Sequence, residues 1–226
     1  VDEILIHKGK VVGVRLEKGD EVHAPIVISS AGVINTFGKF LRNTPKSKNY
    51  RQQLETVTPT PSYVCLYMGL NKSAEDLKLG NTNLWIYPGY NHDNNLNIFL
   101  NDIKKDFPVI YISFPSAKDP EYTNTHPGYA TMEAITISPW SNYDIWRDKP
   151  WKNRGEDYEL LKTQISDRIL NKVFKYVPQA EKAMEYHELS TPLTVKSLAN
   201  YPKGELYGIN HDPQRFHQRW LRAKTD

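Results

Sequence analysis

The chain has 226 residues, of which 39% are hydrophobic and 24% charged, a composition that is ordinary for a soluble globular protein with one large or two smaller domains. A net charge of +3 without a basic run gives no indication of nucleic-acid binding, and a single cysteine, Cys65, excludes an internal disulfide. No apolar stretch approaches the roughly 18–20 residues of a membrane-spanning helix and no signal peptide is visible, so we expect a cytoplasmic or peripheral membrane protein.

The two ends of the chain suggest an excised fragment. Residues 1–6 begin without Met and already have the pattern of a strand, and residues 220–226 contain no signal that ends an element. We therefore expect that the chain needs parts of a longer protein for its function.

Residues 1–28 have the pattern of three strands, joined by turns at Gly9 and Gly19. The third strand leads into an apolar, β-branched run at 26–28, which predicts a strand buried on both faces. Four small residues follow it and would let a ligand approach: Ser29, Ser30, Ala31 and Gly32. No GxGxxG or GxxxxGK[ST] motif occurs, so a strand end packed against a loop explains these four residues equally well.

The middle of the chain predicts an antiparallel sheet. A short helix is expected from Phe37, and a polar connector at 43–49 is the best candidate for a domain boundary. Apolar residues on both faces of 63–70 indicate a central strand, in which Cys65 is expected to be inert packing. Further strands are predicted at 84–87, 109–114 and 132–138, with a loop at 88–95. The chain has 14 Tyr, 7 Phe and 5 Trp, so the sheet is expected to be rich in aromatic residues.

The last third predicts helices. A loop at 139–153 carries three tryptophans, and a long amphipathic helix begins at Glu156 and ends before Pro178. A strand-like segment at 186–189 precedes a helix that starts at Pro192. The fold class predicted for the chain is therefore α+β.

Motifs of hydrolytic and zinc enzymes are missing from the sequence. No GxSxG, HExxH or CxxC spacing occurs, so neither catalytic residues nor metal ligands can be named. When a cofactor carries the reaction, the protein supplies orientation and excludes water, and such motifs are not needed.

Four stretches, taken in order, resemble one family. They are Val11–Leu16 with 24–32, Phe114–Pro120 with Pro127–Gly128, Ser190–Thr194 with Tyr201, and Gly204–Gly208. Together they resemble the central and C-terminal part of FAD-dependent oxidoreductases of the phytoene desaturase, carotenoid isomerase and retinol saturase group. The family's N-terminal glycine-rich βαβ unit is not among these residues.

The resemblance implies an FAD enzyme that acts on C=C bonds of a hydrophobic polyene or isoprenoid, by desaturation, saturation or isomerisation. It implies part of the FAD-binding domain in 1–45 (a β-meander and the following strand), a substrate-binding domain in 46–189, and a segment returning to the FAD-binding domain in 190–226. The implied cofactor-binding residues are Ser29, Ser30, Ala31, Gly32, Gly204, Tyr207 and Gly208. The two groups are expected to lie near each other, and the fragment alone is expected to be inactive. The electron acceptor would be NAD(P), a quinone or oxygen, and the residues do not choose between them.

The substrate implied by the resemblance is a hydrophobic small molecule. Six aromatic residues are candidates to line its site, with ordinary core packing as the alternative for each: Tyr63, Tyr67, Trp85, Tyr87, Tyr111 and Phe114. An exposed tryptophan loop at 140–151 is a candidate for peripheral contact with a membrane. Two other functions stay open, an amine-oxidase-like flavoprotein with a polar substrate and a non-enzymatic β-rich module that binds a ligand or a protein.

Overall fold

The computed structural model describes residues 1–45, 47–218 and 220–221. Its strands are β1 (Glu3–His7), β2 (Lys10–Arg15), β3 (Glu21–His23), β4 (Tyr63–Leu70), β5 (Leu84–Ile86), β6 (Ile110–Ser113), β7 (Ala130–Ile137) and β8 (Met184–Ser190). Its α-helices are α1 (Ser47–Leu54), α2 (His92–Asn101), α3 (Pro115–Lys118), α4 (Tyr122–Thr125), α5 (Glu156–Tyr176), α6 (Pro192–Ala199) and α7 (Pro213–His217). A π-helical segment covers Ile34–Phe40, and 3-10 turns cover Trp140–Asn142, Asp144–Trp146 and Pro178–Ala183.

The described residues form two compact units. The first unit combines the described residues of Val1–Thr60 and Asn200–Asp226, and the second unit is Pro61–Ala199. The domain boundaries expected from the sequence lie at 45/46 and 189/190, and Lys46 itself is outside the described residues. The assignment of 1–45, 46–189 and 190–226 to functional domains stays a prediction.

The first unit contains the β-meander that the sequence predicts. Its strands pair antiparallel in the order β1–β2–β3. Gly13 on β2 has a φ of +153°, and a Cβ built there would lie 2.2 Å from the backbone oxygen of Val22 on β3. Only glycine therefore lets the second and third strands approach this closely.

The apolar run at 26–28 does not form the buried strand that the sequence predicts. Ile26 is 75% exposed and Ile28 is 93% exposed, and no described strand pairs with this segment. A β-branched run forms a strand only where a neighbouring strand offers hydrogen bonds and a surface to pack on. Neither is offered within the described part of the chain.

The second unit is built on a five-stranded sheet in the order β5–β6–β7–β4–β8, and every neighbouring pair is antiparallel. β4 lies between β7 and β8, which confirms that it is a central strand. Helices and antiparallel strands together confirm the α+β class.

One face of this sheet and one stripe of α5 share a single hydrophobic core. α5 contributes residues at helical spacing: Tyr158, Ile165, Ile169 and Val173. The strands contribute alternate residues, namely Val64, Leu66, Met68 and Leu70 on β4, Ile110 and Ile112 on β6, and Ala130, Met132 and Ala134 on β7. We call this side the packed face of the sheet.

Two predicted connections are shorter than expected because helices begin within them. The connector at 43–49 gives way to α1 at Ser47, and the loop at 88–95 gives way to α2 at His92. Asn91 explains the second case, since its Oδ1 accepts a hydrogen bond from the backbone N–H of Asn94 at 3.1 Å and so caps α2.

The tryptophan loop at 140–151 is not exposed as a whole. Trp140 packs against the core and donates its indole N–H to Asp144 at 2.8 Å. Trp146 is buried and donates to Asp157 at 2.9 Å, so only Trp151 of the three is exposed. The expectation of an exposed loop is wrong for Trp140 and Trp146, because each ring packs inward and each N–H has a carboxylate partner.

Among the described helices, none has both the length and the apolar composition needed to cross a membrane.

Candidate functional site

The second face of the five-stranded sheet, opposite the packed face, carries four of the six predicted substrate residues. Side chains alternate along each strand, so the register decides which residues share this face. Tyr63, Cys65, Tyr67 and Gly69 of β4 pair with Ile137, Ile135, Glu133 and Thr131 of β7, and Tyr111 of β6 also pairs with Ile135. Trp85 of β5 pairs with Tyr111, and β8 adds Ser190, Glu188 and Tyr186. We call this set of residues the open face.

Aromatic rings occupy one half of the open face. The rings of Trp85 and Tyr111 meet edge to face, with centroids 4.8 Å apart. Trp85 is 59% exposed and Tyr67 is 49% exposed, whereas Tyr63 and Tyr111 are half-buried. This half of the open face therefore presents aromatic surface that no described residue of the second unit covers.

A row of polar side chains crosses the open face beside these rings. Ser113 on β6 lies opposite Glu133 on β7, Glu133 lies opposite Tyr67 on β4, and Tyr67 lies opposite Glu188 on β8. Directly opposed residues of an antiparallel pair have Cβ atoms about 4.5–5.5 Å apart. The row therefore brings two carboxylates to the two sides of one phenol.

Burial sets the acidity of two groups on this face. Burial raises the pKa of the Cys65 thiol to about 12, a hydrogen bond with Tyr67 opposes the rise, and the charge of Glu133 adds to it. Burial also raises the pKa of the Tyr67 phenol, and the interaction with the neighbouring Cys65 adds to the rise. Both groups are therefore neutral at pH 7, and the structure supports the interpretation of Cys65 as unreactive packing.

A groove runs along the open face over β4 and β7. One cleft of about 410 Å³ is lined by Tyr67, Gly69, Thr131, Glu133 and Tyr186, with Met68, Met132 and Pro115. A second cleft of about 260 Å³ shares Gly69, Thr131 and Tyr186 and continues to Tyr122, His126 and Tyr129. The shared residues make the two clefts continuous.

The other two predicted substrate residues lie elsewhere. Phe114 is 4% exposed and belongs to the hydrophobic core. Tyr87 follows the end of β5 and its ring meets that of His92, with centroids 4.5 Å apart. Core packing accounts for Phe114, and Tyr87 lies just beyond β5 against His92.

The predicted cofactor segments both belong to the first unit. Ser29, Ser30 and Gly32 are exposed, and Ala31 is half-buried. Asn35 donates its side-chain N–H groups to the backbone oxygens of Ala31 at 3.1 Å and of Asn200 at 3.0 Å. The buried Asn35 side chain thus connects the segment at 29–32 to Asn200, which shortly precedes the segment that begins at Gly204.

Glycines in both segments have a left-handed backbone. The φ angle is +78° at Gly32, +59° at Gly204 and +78° at Gly208. A Cβ added at Gly32 or Gly208 would meet no atom within 4 Å, so the space beside both glycines is open. The second segment is held in place at Thr60, which donates its backbone N–H to the Gly208 oxygen at 2.7 Å and accepts the Tyr207 N–H at 3.0 Å.

Sequence reasoning missed three polar residues at these two places. Glu133 and Asn35 carry no local motif, and only the pairing of β7 and the fold of the first unit give them their positions. Glu205, between the two predicted glycines, is 2% exposed and accepts the backbone N–H of Lys203 at 2.9 Å. The sequence signal for this residue is a glutamate placed directly between Gly204 and Leu206.

Known proteins resemble the chain over almost its full length. It is 32% identical to "All-trans-retinol 13,14-reductase" of Danio rerio over 96% of the chain and 37% of that protein. It is 28% identical to "Phytoene desaturase (neurosporene-forming)" of Rhodobacter capsulatus over 98% of the chain and 40% of that protein. It is 25% identical to "Prolycopene isomerase, chloroplastic" of Daucus carota over 86% of the chain and 29% of that protein.

No protein-family model matches the chain. The chain spans between 29% and 40% of the length of these three relatives. Their names cover the three branches of the group that the four sequence stretches resemble. These matches support the assignment of the chain to the phytoene desaturase, carotenoid isomerase and retinol saturase group.

Proposed function

We propose that the protein carrying this chain is an FAD-dependent oxidoreductase that acts on C=C bonds of a hydrophobic polyene or isoprenoid. The observation that carries the proposal is the open face, where Tyr63, Tyr67, Trp85 and Tyr111 present ring surface on one side of a sheet. The relatives' names refer to retinol, phytoene and prolycopene, which are long apolar molecules with conjugated or isolated double bonds.

Flat aromatic side chains suit such a substrate. They offer a large apolar contact area and keep few rotatable bonds, so a planar chain of double bonds can stack on them at low cost in entropy. In this proposal the open face binds and orients the polyene and keeps water from it, and no acid or base of the chain is required.

The first unit fits a flavin in two respects. Exposed small residues at 29–32 and open space beside Gly32 and Gly208 leave backbone N–H groups free to approach a flat or charged group. We propose that Ser29, Ser30, Ala31, Gly32, Gly204, Tyr207 and Gly208 contribute to holding it. A bound flavin would supply hydride transfer, which removes hydrogen to form a C=C bond or adds hydrogen to saturate one.

The experiment uses the full-length protein that contains this chain. We expect a flavin absorption band in the purified protein. With dithionite added under anaerobic conditions to keep the flavin reduced, we expect conversion of all-trans-retinol to a dihydro product, which chromatography measures. Trp85→Ala is expected to lower kcat/KM about tenfold, since a stacked aromatic contributes on the order of 1–1.5 kcal/mol.

Trp151→Ala is the matched control. Trp151 is also an exposed tryptophan of the second unit, but it lies in the 140–151 loop rather than on the sheet. Its substitution is expected to leave kcat/KM unchanged. A folded protein without a flavin band, or equal losses in the two variants, would contradict the proposal.

A further inference from the structure

Of the two carboxylates on the open face, Glu188 has a hydrogen-bond partner and Glu133 has none among the described residues. Lys118 donates to Ser113 Oγ at 2.8 Å, and the Tyr186 hydroxyl donates to Glu188 Oε2 at 2.8 Å. Tyr67 is hydrogen-bonded to Cys65. Within the described part of the chain, the Glu133 carboxylate makes neither a hydrogen bond nor an ion pair.

The position of Glu133 makes this lack of a partner costly once the face is covered. Its neighbours across the strands are Tyr67 and Ser113, its neighbours along the face are Thr131 and Ile135, and the side chain is half-buried. A ligand that covers the groove removes the remaining water from the carboxylate. A carboxylate that loses water without gaining a donor carries a large free-energy penalty.

The groove beside Glu133 has room for the end of a ligand. Gly69 and Thr131 lie in the part that the two clefts share, and Gly69 has no side chain to fill it. A Cβ at Gly69 would lie 3.7 Å from the Cβ of Tyr186, which is an ordinary contact, so alanine fits there and a larger side chain would enter the groove.

We propose that Glu133 accepts a hydrogen bond from a hydroxyl group at the end of the substrate, so that this protein selects a polyene alcohol over a polyene hydrocarbon. The inference rests on the proposed function. The rings of Trp85 and Tyr111 hold the apolar part of the molecule, and the polar end lies over Gly69 and Thr131 beside the carboxylate. A hydrocarbon in the same place leaves Glu133 desolvated and unpaired, and sites of this kind reject ligands that lack the matching donor.

The test compares all-trans-retinol with its methyl ether, which has the same polyene but no O–H donor. Dissociation constants are measured by fluorescence titration of the full-length protein. Wild type is expected to bind the alcohol about tenfold or more tightly than the ether. In Glu133→Leu the preference is expected to fall to about one, because the acceptor is gone, and in Glu133→Gln it is expected to be intermediate.

Glu75→Leu is the matched control, since Glu75 is an exposed glutamate of the same unit outside the sheet. It is expected to keep the wild-type preference. Glu133→Gln preserves the shape of the side chain and serves if Glu133→Leu does not fold. Gly69→Val gives a second route, because filling the groove is expected to weaken binding of the alcohol about tenfold or more.

Three outcomes overturn the inference. They are equal binding of alcohol and ether by wild type, a preference that survives in Glu133→Leu, and binding of the corresponding polyene amine more than about tenfold tighter than the alcohol, which indicates an ion pair with Glu133 instead. The flavin spectrum of each sample separates this test from the proposed function. A flavoprotein that converts retinol without discriminating the ether overturns the role of Glu133 alone, whereas a colourless protein overturns the proposed function.

Discussion

The two faces of the five-stranded sheet are made by the same strands and differ in what covers them. On the packed face, Leu66 and Ile112 are fully buried in the core that α5 completes. On the open face, their sequence neighbours Tyr67 and Tyr111 remain partly exposed, and Glu133 has no partner among the described residues. One residue of register therefore separates a side chain that stabilises the fold from one that is available to a ligand.

Along a single strand, alternate residues therefore serve different purposes: one set stabilises the fold and the other is available for binding. Substitutions on the packed face are expected to change the free energy of unfolding, whereas those of exposed side chains on the open face, such as Trp85 and Tyr67, are expected to change affinity. The following predictions test this separation.

The largest loss of stability is expected for Leu66→Ala. The side chain is fully buried on the central strand, and its truncation leaves a cavity, so the free energy of unfolding is expected to fall by about 2–5 kcal/mol. Urea unfolding of the full-length protein, followed by circular dichroism, measures the change. A loss below about 1 kcal/mol would mean that the packed face is not the core of this unit.

A smaller loss is expected for Tyr143→Phe. The Tyr143 and Ser138 hydroxyls are buried and lie 2.7 Å apart, so removal of one leaves the other without its partner, at a cost of about 1–3 kcal/mol. The double variant with Ser138→Ala is expected to lose less than the sum of the two single losses. Strict additivity in urea unfolding would show that the two hydroxyls do not interact.

The pH dependence of stability is expected to report Cys65. Folding raises the pKa of this thiol from 9.0 to about 12, so the neutral thiol favours the folded state. Its contribution is fully present below pH 9 and is lost as the pH rises towards 12. Thermal unfolding of wild type is therefore expected to lose stability over this range more steeply than that of Cys65→Ala. Identical slopes would contradict the burial of the Cys65 thiol.

The smallest effect on stability is expected for Trp85→Ala on the open face. The ring is more than half exposed, and exposed substitutions change the free energy of unfolding by about 0.5 kcal/mol or less. The same urea experiment checks this value. A loss above about 2 kcal/mol would show that Trp85 belongs to the core, and the distinction between the two faces would then fail at β5.

Local sequence patterns predicted the helices and strands better than they predicted which faces of those elements are buried. The helical spacing of Tyr158, Ile165 and Ile169 and the proline after the helix predicted α5, and alternation along 63–70 placed Tyr63 and Tyr67 on one face. Alternation could not say which face helices would cover, because that depends on contacts distant in sequence. For the same reason 26–28 was expected to be buried, although no described strand pairs with it.

The polar part of the candidate site was beyond local patterns. Glu133 looks like the polar member of an ordinary alternating strand, and its position beside Tyr67 depends on the register of β7 against β4. We expect an exposed tryptophan loop at 140–151 from the resemblance, yet Trp140 and Trp146 pack inward and donate their indole N–H groups to Asp144 and Asp157. The fold brings these side chains together, and residue spacing in the sequence does not predict the pairs.

Photoaffinity labelling tests the role of the open face most directly. The full-length protein is irradiated with a retinol analogue that carries a diazirine on its apolar end, and labelled residues are identified by mass spectrometry. We predict that the label falls on the open face, at or next to Trp85, Tyr111 and Tyr67, and that excess all-trans-retinol suppresses it. Labelling that retinol suppresses but that leaves all open-face residues unmodified would contradict the account.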